Sequence, residues 1–158
     1  MKNKTLQSSF HRPYIKFLSA IFTAITIPIF LGVFKYFSAG EGRTNEFYSN
    51  FGYEFTITLI INLTFLFIII FPLSILIDGL IIMKVKNKKT FIFPSYVISY
   101  VLIGIISGSI YSYFISSFNP ISSILYGLEL TFLFVIYQFT FNWLINKIKI
   151  ILSKNAQS

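Results

Sequence analysis

The chain contains no cysteine and a single histidine, His11. Without a thiol, a disulfide framework and a cysteine nucleophile are both excluded. One histidine close to the N-terminus excludes a His-based metal site or catalytic dyad further along. Charge is scarce as well: 11% of residues are charged, against about 25% in soluble domains. Acids are scarcest of all, five against 13 lysines and arginines, for a net charge of +8. No G-x-G-x-x-G, Walker A, G-x-S-x-G, H-E-x-x-H or C-x-x-C pattern occurs. An enzyme would therefore have to work with isolated carboxylates; none is expected, and no cofactor or metal with it.

Apolar residues take the place of what is missing. They make up 55% of the 158 residues, and the mean hydropathy is +0.75. The polar connections are all short, so residues 1–158 are read as one membrane domain. The basic residues flank the apolar runs, where they meet anionic lipid headgroups; nucleic acid is not expected as a partner.

The run from Phe55 to Met83 carries no charge before Asp78 and ends in Lys84, Lys86, Lys88 and Lys89. A helix needs about 20 apolar residues to cross a hydrocarbon core roughly 30 Å thick, and in lipid the backbone must satisfy its own hydrogen bonds. Pro72 removes one N–H and predicts a kink; Pro28 predicts another. Four such runs are present, and spans are expected at about 15–37, 56–82, 95–117 and 122–146. The basic start and Ser38-Ala39-Gly40 look like a signal peptide, but the first run is long for one and further spans follow, which predicts an uncleaved helix. Its flanking Lys16 and Lys35 are expected to snorkel outward. Lysines and arginines number four up to Lys16, four in the Lys84–Lys89 hairpin and three after span four, with only Lys35 and Arg43 on the other side. That bias predicts a four-transmembrane-helix, all-α integral membrane bundle with both ends in the cytoplasm. Met1–Arg12 reads as a cytoplasmic tail and Ser38–Glu54 as an external connecting loop.

Small residues mark packing faces. Ser19, Thr23 and Thr26 share a face of span one beside Ala20 and Ala24. In span three, Gly104 and Gly108 form a GxxxG continued by Ser112, which lets another helix backbone approach closely. Packing within the chain is favoured over dimerisation.

Two acids fall inside apolar runs, and ionisable groups there are functional candidates. Asp78 lies six residues before Lys84, about 9 Å along the axis, near the inner surface. Lys16 and Lys147 stand at the same depth, so either would serve as a tie. Ser74 lies one turn earlier and is placed on the face of Thr64. Glu129 is about five residues into the apolar run beginning at Ile124, roughly 8 Å below the outer surface. Tyr126 and Thr140 share its face; Thr131, Gln138 and Asn142 lie opposite, so span four is expected to be packed on both sides. Trp143 reads as an interfacial anchor.

Phe71-Pro-Leu-Ser-Ile-Leu-Ile-Asp78, followed by the basic hairpin, resembles small four-span membrane proteins of unassigned activity found in Bacillus and its relatives. The resemblance implies a bacterial, multi-pass cell-membrane protein with no catalytic residues to carry over. The function expected is structural or regulatory, through helix contacts with itself or another membrane protein. The alternatives are a small transporter or channel using Glu129 or Asp78, and a holin-like pore.

Overall fold

The computed structural model describes residues 12–38, 44–84, 92–114 and 119–155. The tail before Arg12, the Lys84–Lys89 hairpin beyond its first residue, and the centre of the loop at 115–118 lie outside the described residues. Every regular element among the described residues is a helix: α1 is Pro13–Ser38, α2 Thr44–Phe65, α3 Phe71–Lys84, α4 Ile92–Phe114 and α5 Pro120–Asn155. A π-helical turn, Leu66–Ile70, joins α2 to α3. Among the described residues four stretches are long and apolar enough to cross a membrane: Pro13–Lys35, Phe51–Ile81, Pro94–Phe114 and Pro120–Leu152.

Proline placement explains several boundaries. Pro13 and Pro120 open their helices and Pro94 stands in the first turn of α4, positions where no intrahelical partner awaits an N–H. Asn119 Oδ1 accepts the Ile121 N–H at 3.1 Å and so caps α5. Two helices run further than the sequence suggested. The expected external loop is already helical from Thr44, where Asn45 and Glu46 suit a helix start and no proline follows before Pro72. The last helix continues past Ile145 to Asn155, because Lys147–Lys154 contains neither glycine nor proline and extending an existing helix is easy.

Pro28 lies inside the continuous helix α1. At Pro72 the backbone yields instead by widening. The missing N–H and the ring's clash with the carbonyl four residues back disfavour a regular turn, and the N–H of Phe71 bonds back five residues to Leu66. The consequence is a change of register. Asn62, Leu66, Ile70, Ser74 and Asp78 are all buried, a strict i, i+4 series. On a regular helix Asn62 and Asp78 would diverge by about 160°; one inserted residue cuts that to about 60°. The same insertion corrects the placement of Thr64 with Ser74. It puts them roughly 180° apart, and Thr64 is exposed while Ser74 is buried.

The helices pack as a bundle in which the α4–α5 seam is the most extensive contact. Gly104 and Gly108 supply one side of it. Gly127 on α5 supplies the other: a Cβ added there would sit 2.5 Å from the Gly108 nitrogen, and one on Gly108 would sit 2.5 Å from Ile124 Cα. Ser112, on the same helix, is half-buried. On α1, Ser19, Ala20, Thr23 and Ala24 are fully buried. Ser19 Oγ and Thr23 Oγ1 each donate 2.7 Å bonds to carbonyls one turn back, which satisfies hydroxyls in an apolar setting. Phe22 packs on Phe141 at 5.1 Å between centroids, and Thr26 Oγ1 meets the Tyr137 hydroxyl at 2.6 Å, so α1 and α5 run antiparallel.

A buried ion pair and an exposed carboxylate as candidate sites

Lys16 stands in the first turn of α1, Ser74 and Asp78 one turn apart on α3, Tyr100 on α4 and Gln138 on α5. Lys16 Nζ lies 2.5 Å from Asp78 Oδ2, and the two side chains are 2% and 0% exposed. Lys16 also donates to Ser74 Oγ at 3.1 Å, and Ser74 passes its own proton to the Phe71 carbonyl at 2.7 Å. The Tyr100 hydroxyl is 3.3 Å from both Asp78 Oδ1 and Gln138 Oε1. It has one proton to give. Donated to Asp78, that proton leaves the tyrosine oxygen free to accept from the Gln138 amide turned over, which would occupy a buried Gln138 Nε2 that otherwise has no partner among the described residues. One knot of polar groups thus touches all four long helical stretches.

This placement decides between the two cations that depth alone allowed. Lys16 is the partner of Asp78. Lys147 instead sits 4.8 Å above the Trp143 ring, and both are exposed. It also corrects the expectation that Lys16 snorkels outward: the buried Asp78 carboxylate on α3 holds its ammonium inside. Lys35 at the other end of α1 behaves as expected, exposed and paired with Glu54.

Glu129 is treated differently. It is exposed, and no hydrogen bond or ion pair reaches it among the described residues. It lies nine residues from the start of α5, about 13 Å along the axis, because the helix begins at Pro120. The 22–141 and 26–137 contacts nevertheless set it level with Phe34, one residue short of Lys35. Thr131, Gln138 and Asn142 are buried, whereas Glu129 and Thr140 face outward. The expected second packing face is only partly covered: Tyr126 is half-buried, while Glu129 and Thr140 on that face are exposed.

Glu129 and Phe132 form a ridge between two grooves. One, about 560 Å³, runs between α1 and α5 and includes Thr26, Leu31, Thr58, Tyr111 and Tyr126. The other, about 460 Å³, runs between α4 and α5 and reaches Tyr100. Behind the first groove, Tyr111 packs between Phe65 and Tyr126 at 4.9 and 5.2 Å, and the Tyr126 hydroxyl donates to Asn62 Oδ1. Among the described residues no group of three or more His, Cys, Asp or Glu gathers into a metal site.

From sequence, Tyr100 reads only as the start of the glycine stripe and Gln138 only as part of a packed polar face, and Gly127 was not singled out at all. Gly127 had a signal: it is the lone glycine of a 36-residue helix, where it costs about 1 kcal/mol relative to alanine and calls for a packing reason. Fold and site together define an all-helical protein with an apolar exterior and a polar knot inside. Comparison with protein-family models, with curated proteins and with solved structures finds no match.

Proposed function

We propose that this chain is a multi-pass protein of a bacterial cell membrane, with both termini in the cytoplasm, that acts through helix contacts as a structural or regulatory component and not as an enzyme. The observation that carries the reading is the inversion of polarity between inside and outside. Lys16, Asp78, Ser74, Asn62, Thr131 and Gln138 are buried, while Phe30, Phe34, Ile68, Leu76, Ile98 and Phe132 are more than half exposed. Water would reward the opposite arrangement; lipid rewards this one, because buried polar groups find partners and the greasy exterior costs nothing. The cation bias toward the Lys16, Lys84–Lys89 and Lys147 end supports the orientation. An exterior with few polar groups gives less support to a pore of several copies.

Crosslinking in native membranes followed by pull-down tests the reading. Recovery of a defined membrane partner or of a self-complex is expected; recovery of neither contradicts it. Reporter fusions at the Lys84–Lys89 hairpin should report cytoplasm, and an extracytoplasmic signal would overturn the topology. The exposed Glu129 carboxylate favours a second reading, a small transporter. Flux in vesicles that Glu129→Gln abolishes would support it, and flux indifferent to that change would remove it. Asp78, sealed against Lys16, is the weaker candidate for transport.

A further inference from the structure

The groove between α1 and α5 has a direction. Its Lys35 end carries the hydroxyls of Ser122, Ser123 and Tyr126, with Glu129 as the only charged lining residue among those described; its other end is Ile27, Phe30, Phe132 and Leu133, with the hydroxyls of Thr26 and Thr58 at its side. The exposed Lys35–Glu54 ion pair stands one turn beyond Leu31 on the same side, which places the polar mouth where lipid headgroups begin. A carboxylate facing a bilayer without a cation is costly, and Lys35, on α1 beyond Leu31, is already paired with Glu54. A volume of about 560 Å³ falls within the usual range for a small-molecule site, roughly 300–1,000 Å³.

We propose that this groove holds a membrane lipid with an ammonium headgroup, a phosphatidylethanolamine of the outer leaflet. Its ammonium rests on Glu129 and one acyl chain lies along Phe30, Phe132 and Leu133. The polarity gradient matches the orientation a lipid already has in that leaflet, so entry needs only lateral diffusion. The primary ammonium supplies donors as well as charge; a trimethylated head supplies charge without donors, and an anionic head is repelled. The inference rests on the membrane reading but not on any transport activity.

The test is native mass spectrometry of the full chain released from mild detergent. Phosphatidylethanolamine, phosphatidylcholine and phosphatidylglycerol of identical acyl chains are titrated. One saturable ethanolamine-lipid adduct is expected, about tenfold tighter than the glycerol lipid, which a single desolvated charge contact readily supplies. Glu129→Gln should erase the discrimination; Phe132→Ala should weaken all three lipids alike; Thr140→Ala, which removes an exposed hydroxyl of the same helix outside the groove, should leave the preference intact. Equal binding of the three lipids, or a preference surviving Glu129→Gln, overturns the lipid site. Carbonate extraction of the same membranes separates the two failures: release of the protein would sink the membrane reading itself, while a retained protein without lipid preference sinks only the site.

Discussion

Asp78 and Glu129 are the same kind of event in the sequence, a single acid interrupting an apolar run, and the structure gives them opposite fates. Asp78 lies on the inward face of α3, with Lys16 of α1 and Tyr100 of α4 converging on it. Glu129 lies on the outward face of α5, at the junction of two grooves. The difference is not depth, since each lies near one end of the bundle. It comes from register. The π turn at Leu66–Ile70 carries Asp78 inward, whereas the glycine seam fixes α5 with Gly127 inward and Glu129, two residues on, turned away. A charge inside such a bundle must be matched by its own chain; one on its outside must be matched by something else.

The sharpest way to break this contrast is to remove one partner at a time. Asp78→Ala leaves the Lys16 ammonium buried without a counter-charge and is expected to destabilise the fold by about 3–5 kcal/mol. Lys16→Met together with Asp78→Leu should recover most of that, since a buried pair replaced by apolar groups of similar size is often near neutral. Reversible unfolding in mixed micelles measures both. Equal losses for the single and double variants would mean that the pair is not the source of the effect.

A smaller effect is expected at the seam. Gly108→Ala and Gly127→Ala push a methyl group into backbone that cannot swing away, costing about 1–3 kcal/mol. Gly79→Ala is the contrast, because open space surrounds that position and alanine is the better helix former by about 1 kcal/mol. It should leave stability unchanged or raised, and a loss at Gly79 as large as at Gly108 would argue against the seam. Smallest of all, Glu129→Gln should shift stability by no more than about 0.5 kcal/mol, and Lys35→Met by less than about 1 kcal/mol. A loss at Glu129 comparable to Asp78→Ala would mean that its carboxylate is bound within the fold.

How much of this was open to sequence reading follows the same division. The four long helical stretches were legible because apolar runs and flanking lysines carry their signal locally. The inward faces of α1 and α4 were legible too, since small residues at helical spacing announce close packing. The partner of Asp78 was narrowed to two lysines by depth alone; choosing Lys16 over Lys147 needs the azimuth of each helix, which no local pattern carries. The π turn was hidden because Pro72 permits either a kink or a widened turn, and only neighbours on all sides select one. For that reason Thr64 and Ser74 were assigned to one face when the inserted residue separates them. The grooves beside Glu129 arise from several helices meeting, and no single stretch records that.

The most direct measurement compares the two acids from the lipid side. A hydrophobic carbodiimide, dissolved in membranes containing the intact protein at mildly acid pH, reacts with carboxyl groups it can reach from the bilayer, and the modified residue is mapped by mass spectrometry. Label at Glu129 with none at Asp78 is the result predicted here. Label at Asp78, or equal label at both, would contradict a bundle that seals one carboxylate against Lys16 and turns the other outward.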